Sequence, residues 1–159
     1  MPARKTKTPE EEYTYGRLHE EHSLPLMRKL YHSELYLNPN KYGAFDYHTP
    51  DDSCFVELKR RRIRHNAFGD LVISAFKWVE GFERKANGAR VIYVWKCEDG
   101  FYAYELGTHE VEEKQLPIIP FQRGGRNPSD SVNVPSDWMH KISELEWNGG
   151  PFIVDFNEA

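Results

Sequence analysis

The sequence predicts a mixed α/β domain in which helices flank a central mixed β-sheet. Three observations point there. Strand-like runs sit on either side of the turn Pro50-Asp51-Asp52-Ser53, and a second alternating pair brackets Glu98-Asp99-Gly100. Two further stretches, 10–37 and 70–86, space their apolar residues by three and four, as one face of a helix does.

The elements follow in chain order. The basic start Met1-Pro2-Ala3-Arg4-Lys5-Thr6-Lys7 reads as a disordered tail over residues 1–9, followed by a single domain over 10–159. In the first helix Tyr13, Arg17, Glu20, Leu24, Met27, Tyr31 and Leu35 share a side, and Pro25 either kinks it or starts a second helix capped by Ser23. Asn38-Pro39-Asn40-Lys41 is a turn, and strands over Tyr42 to Tyr47 and Cys54 to Arg61 form the first hairpin. Asp70 caps a second helix that runs to about Ala86 and ends at Asn87-Gly88. Arg90 to Lys96 and Phe101 to Leu106 make the second hairpin, with Trp95, Phe101 and Tyr102 read as packing residues. Further on, Glu110, Glu112 and Glu113 read as a solvent-facing patch, and Leu116 to Phe121 as an edge strand or extended connector. Gln122 to Pro128 reads as a flexible glycine loop carrying Arg123 and Arg126, Val132 to Val134 as a short strand, and Asp137 to Leu145 as a short helix capped by Ser136. The tail Gly149 to Phe156 has a strand-like apolar run.

The first hairpin carries the chemistry. Centring its turn on Asp51 and Asp52 sets Asp46 opposite Glu57, with Cβ atoms roughly 4.5–5.5 Å apart. Bare like charges at that separation repel, and a hard dication, Mg²⁺ or Mn²⁺, is the natural compensation. Alternation puts Phe55, Glu57 and Lys59 on one face, and Val56 and Leu58 on the other. Val56 and Leu58 are expected to anchor a core while Glu57 and Lys59 project into a cleft. A plain solvated hairpin edge would carry the same three charges.

These residues and their order resemble the PD-(D/E)XK nuclease superfamily over roughly residues 15 to 106. The match sets Asp46 as the Asp, and Glu57 with Lys59 as the Glu-x-Lys. Phe45 stands where the motif has Pro, and the literal Pro50-Asp51 lies too close to Glu57 for a hairpin and reads as turn chemistry. The resemblance implies a restriction-endonuclease-like core and hydrolysis of phosphodiester bonds, DNA favoured over RNA. It implies Asp46 and Glu57 as ligands of Mg²⁺ or Mn²⁺, the Leu58 carbonyl as a further ligand, and an acidic residue on the first helix. Spacing favours Glu20 for that residue, with Glu21 still open. It also implies a basic residue on the second helix pointing back at the site, and Lys77 is placed for it. Lys59 is expected to orient water or offset charge on the phosphate.

Composition bounds the alternatives. The chain has 159 residues, 39% hydrophobic and 29% charged, with a net charge of −4, so it is not a generally basic nucleic-acid binder. Positive charge is concentrated in Lys59-Arg60-Arg61-Arg62-Ile63-Arg64-His65, and Arg60, Arg61, Arg62 and Arg64 are expected to meet phosphate, together with Arg123, Arg126 and Lys77. Two cysteines make no disulfide framework, and no apolar run is long enough to span a membrane. The expected location is intracellular, cytoplasmic or nuclear, without a membrane partner and with a homodimer left open. No phosphate loop, His-Glu-x-x-His or Cys-x-x-Cys is present. Two other functions stay open: a catalytically silent nucleic-acid-binding module, and an assembly protein whose hairpin charges are incidental.

Overall fold

The computed structural model describes residues 8–39, 45–123 and 127–142. Helix α1 (Pro9–Leu30) starts at Thr8, whose hydroxyl accepts from the Glu11 N–H, with Pro9 in the first turn where no donor is lost. Thr8 and Pro9, expected in the disordered tail, belong to this helix start, and residues 1–7 lie outside the described chain. Pro25 neither ends α1 nor opens a second helix, and Ser23 is buried inside it rather than acting as a cap. Nor does the helix reach residue 37: it stops at Tyr31, and Tyr36–Leu37 form strand β1.

Strand β2 (Tyr47–His48) pairs antiparallel with β3 (Cys54–Arg60), setting Tyr47 opposite Val56 and His48 opposite Phe55. This is the register that a turn centred on Asp51-Asp52 requires. Asp52 takes a φ of 57°, a conformation that Asp tolerates better than most residues. Residues 42–44 of the expected first strand lie outside the described chain. β3 runs parallel to β5 (Arg90–Cys97), which pairs antiparallel with β6 (Gly100–Glu105) in the expected second hairpin. With β9 (His140–Ile142) at the far edge, the order is β1-β2-β3-β5-β6-β9, a six-stranded mixed sheet. The expected helix over 137–145 is corrected: a 3-10 turn, Ser136–Trp138, leads directly into β9, and residues beyond 142 lie outside the described chain, the expected tail strand among them.

The expected helix over 70–86 is corrected at its start. Residues 70–74 form strand β4 (Asp70–Ser74), not the start of a helix, and α2 (Ala75–Ala86) begins after it with Ser74 as its cap. β4 pairs with β8 (Asn127–Pro135), which pairs with β7 (Ile118–Arg123), giving a second sheet of order β4-β8-β7. The expected edge strand at 116–121 is thus β7. Of the expected glycine loop, Gln122 and Arg123 belong to β7 and Asn127 and Pro128 to β8, with Arg123 opposite Asn127, and Gly124 to Arg126 lie outside the described residues. The short helix α3 (Glu110–Glu113) buries Glu113, which accepts from the Tyr104 hydroxyl and the Gly107 N–H, so Glu113 is not part of a solvent-facing patch.

Strand alternation divides the core in two. On one face of the large sheet Val56, Leu58, Ile92, Val94 and Phe101 pack with Leu26 and Met27 of α1. On the other, Phe55, Tyr93, Trp95 and Tyr104 pack with Trp78 of α2 and with Leu71, Ile73, Val132 and Val134 of the small sheet. Both faces of β3 are therefore covered, as the central strands of mixed sheets usually are.

Candidate functional site

The covered face of β3 corrects one expectation at once. Glu57 does not project into an open cleft: it is 0% exposed, in the layer between the large sheet and α2. Burying an unpaired carboxylate costs several kcal/mol, so partners are required. Two are present. The Lys59 ammonium, two residues on along the same face, lies 2.9 Å from Glu57 Oε2. The Lys77 ammonium, reaching back from the first turn of α2, donates to the same oxygen. Lys77 is placed there because the Tyr93 hydroxyl donates to its carbonyl at 2.8 Å, tying α2 down over β5.

Asp46 meets this group from the end of β2. The Thr49 N–H donates to the Cys54 carbonyl, so alternate pairs of the hairpin are the hydrogen-bonded ones. Continued one step past Tyr47, that pattern puts Asp46 and Glu57 at a non-hydrogen-bonded position, where side chains approach closest. The ladder stops there, and Asp46 Oδ2 accepts from the Leu58 N–H at 2.8 Å, capping the free edge of β3.

Charge states follow from these contacts. Burial pushes the Asp46 carboxyl well above its ordinary value, and the charges of Glu57 and Glu20 push it further, against Lys77. Burial alone would also raise Glu57, but Lys59 and Lys77 outweigh it and hold Glu57 below the ordinary carboxylate value. Burial would lower Lys77, but Glu57 and Asp46 reverse this and raise it. Glu57 Oε1 is buried and, among the described residues, has no hydrogen-bond partner. With both carboxyls ionised nothing donates to it, whereas a proton on Asp46 supplies a donor.

The structure thus brings Asp46, Glu57, Lys59 and Lys77 together, with Glu20 close enough to act on Asp46 through its charge. Glu20 is held by Arg17, 2.9 Å away, and Arg17 also donates to the Asn38 carbonyl at 2.8 Å. The Tyr47 hydroxyl donates to the Glu20 carbonyl at 2.5 Å. Glu21 is exposed and takes no part in these contacts. Arg17, Tyr47 and Tyr93 position the site and were not assigned to it from sequence. Arg17 and Glu20, three apart on one helix, carried the one readable signal for an ion pair.

The basic run divides. Arg61 donates to the Val72 carbonyl at 3.1 Å and to the Arg60 carbonyl at 2.9 Å, which makes it a strut between β3 and β4 rather than a side chain presented to phosphate. Arg62 is half-buried, while Arg64 is exposed with Asp99 3.7 Å away. Arg60 ends β3, half-buried. Arg123 contributes its backbone to β7, and Arg126 lies outside the described residues. Away from the site, His19 of α1 and Lys96 of β5 form a buried pair at 2.7 Å.

Among the described residues, no group of three or more His, Cys, Asp and Glu could hold a metal ion. Asp46 and Glu57 nevertheless suit a hard dication in smaller number, as two adjacent carboxylates that repel, one with a buried oxygen awaiting a partner. No helix among the described residues is long and apolar enough to cross a membrane. Compared with known proteins, the chain matches no protein-family model, no curated protein and no solved structure.

Proposed function

We propose that this chain is a metal-dependent nuclease of the PD-(D/E)XK kind, hydrolysing phosphodiester bonds of nucleic acid, DNA favoured. The observation that carries this reading is the oxygen of buried Glu57 that is unpartnered among the described residues, set beside Asp46 and backed by two lysines on its other oxygen. Mg²⁺ usually takes one or two protein carboxylates and fills its remaining positions with water and substrate phosphate. Asp46 and Glu57 supply that number, with the Leu58 carbonyl as the further expected ligand. When bound, the ion acidifies a water and neutralises phosphate oxygens.

The protein's own groups do the rest. Lys59 and Lys77 keep Glu57 ionised, the state that binds a cation. Once a phosphate enters, either ammonium can turn from Glu57 Oε2 to a phosphate oxygen and offset its developing charge. Glu20 adds negative charge beside Asp46, anchored by Arg17.

The same contacts favour a second reading. Two lysines on one buried carboxylate form a self-sufficient ion cluster, as a silent nucleic-acid-binding module on this scaffold would have. One experiment separates the two: incubation with plasmid, linear and single-stranded DNA in Mn²⁺, Mg²⁺ or EDTA. Cleavage should appear with either ion, vanish in EDTA and fall roughly 10²-fold or more in Glu57→Gln and Asp46→Asn. DNA binding without cleavage in any metal would leave the silent module standing.

A further inference from the structure

Two aromatic rings stand out of the surface on the segment that joins the site lysines. Phe68 is 75% exposed and Phe76 is 65% exposed. The segment begins at Lys59 and ends at Lys77, and both ammonium groups rest on Glu57 Oε2, so its two ends are fixed at the carboxylate site. Phe76 immediately precedes Lys77 in the first turn of α2.

The loop between β3 and β4 is a built structure. Arg61 braces it on Val72. The His65 N–H donates to Asp99 Oδ1 at 3.0 Å, the His65 ring lies 2.6 Å from Asp99 Oδ2, and that ring stacks on Tyr102 at 3.9 Å. The Gly69 carbonyl accepts from the Ser136 N–H. Ile63 packs against the core, yet Phe68, five residues on, does not. Burying a phenylalanine is worth roughly 1.5–3 kcal/mol, so a held loop that keeps the ring outside forgoes that gain. Along the chain from Leu58 to Gly69 there is no acidic residue; Arg64 stands exposed, with Asp99 3.7 Å from it, and Arg62 is half-buried.

An exposed ring that follows the basic run, and a second at the start of α2, on a segment anchored at the proposed phosphodiester site, fit a polyanion that offers flat apolar faces. A duplex hides those faces in its own stack, and an unpaired strand presents them. We propose that Phe68 and Phe76 stack on the unpaired bases of a single-stranded nucleic acid whose phosphates run along Arg62 and Arg64. Phe68 precedes β4 and Phe76 follows it, with roughly 13 Å of strand, four steps of 3.3 Å, between them along the chain. The inference rests on the nuclease reading for what happens at Glu57, and it names the substrate class of that site.

Its test is binding without metal. In EDTA, fluorescence anisotropy compares a labelled single strand of mixed sequence with its duplex. The protein should prefer the single strand about 10-fold or more. Phe68→Ala and Phe76→Ala should each weaken that binding roughly 5- to 100-fold and leave duplex binding unchanged. Arg64→Gln should weaken both forms and flatten the salt dependence by about one phosphate contact. Equal affinity for the two forms, or phenylalanine variants that bind as the parent does, overturns the inference. So does a dimer, seen by light scattering, that Phe76→Ala abolishes, since the ring then belongs to a protein contact. Metal-dependent cleavage of duplex without single-strand preference sinks the stacking and leaves the nuclease. Ring-dependent single-strand binding with no cleavage in any metal does the reverse.

Discussion

Asp46 is strained by its charge and satisfied by its shape. Its carboxylate caps the Leu58 N–H, yet burial and the neighbouring acids favour the neutral form. Because its folded pKa lies above the ordinary 3.8, the folded state holds this proton more tightly than the unfolded chain does. Stability from Asp46 is therefore full below that ordinary value and is lost as pH rises towards the folded one. Asparagine keeps the acceptor for Leu58, removes the charge and offers Glu57 Oε1 a permanent donor. Asp46→Asn should raise the Tm at pH 7 in EDTA, by about 2–4 °C per kcal/mol gained in a chain of this size, while abolishing cleavage. The gain should shrink near pH 4, where Asp46 in the parent also carries its proton. A variant less stable than the parent at pH 7 would show that the two carboxyls are not in conflict.

Glu57 and Lys77 behave in the opposite sense. Glu57 is depressed, so its contribution is present above its ordinary 4.5 and lost as pH falls through the folded value. Lys77 is raised, so its contribution is full below 10.5 and lost only as pH climbs through the folded value. Both are charged at neutral pH. Removing one partner of a buried pair typically costs about 3–5 kcal/mol. Lys77→Met, with Lys59 still in place, should fall near the lower end of that range by urea unfolding. Glu57→Ala would leave two ammonium groups facing a void, so an inactive alanine variant at this position reports on folding as much as on chemistry. Glu57→Gln, which keeps the volume and an acceptor, separates the two.

At the scale of elements, α2 is seated on the large sheet through Gly81. A Cβ there would lie 2.0 Å from the Tyr93 hydroxyl, the group that also holds the Lys77 carbonyl. Alanine at 81 must therefore push α2 away from β5 or displace Tyr93, and overpacking of this kind costs about 1–3 kcal/mol. Gly81→Ala should lose that stability and lower cleavage with it, since Lys77 rides on the same helix. Tyr93→Phe in the same chain should recover part of the stability, and the double-mutant cycle measures the coupling. Additive losses would mean that the ring and the glycine do not meet.

The elements also show where sequence reading succeeds and fails. The first hairpin was legible because its turn chemistry fixes a register, and one residue of slip would send Glu57 to the α1 face. β4 was not legible in the same way. Leu71, Val72 and Ile73 are consecutive aliphatics that suit either period, and the helical spacing that begins at Ala75 continues back over them. Arg61 was grouped with its neighbours by charge, whereas its partner is a carbonyl on that misread strand.

Over the whole molecule, the large sheet was within reach of the sequence because its central strands are joined by short turns or by one helical crossover. The small sheet was not, since β4 finds β8 more than fifty residues later, and no local pattern announces such a partner. The carboxylate cluster sits where these two kinds of structure meet: the readable hairpin supplies Asp46, Glu57 and Lys59, and the crossover brings Lys77. A ligand that binds this junction only in the folded state must stabilise the entire chain, by about 2.7 kcal/mol at one hundred times its Kd. Mn²⁺ in that excess should therefore raise the Tm by roughly 5–10 °C. The rise should be absent in Glu57→Gln and in Asp46→Asn, even though the latter starts from the higher Tm. Ca²⁺, which takes oxygen ligands in similar fashion, should also raise the Tm of the parent, whether or not it supports cleavage. A shift of equal size in all three proteins would place the ion elsewhere on an acidic surface. No shift in the parent at millimolar Mn²⁺ would leave Glu57 a structural ion pair and remove the metal from the proposal.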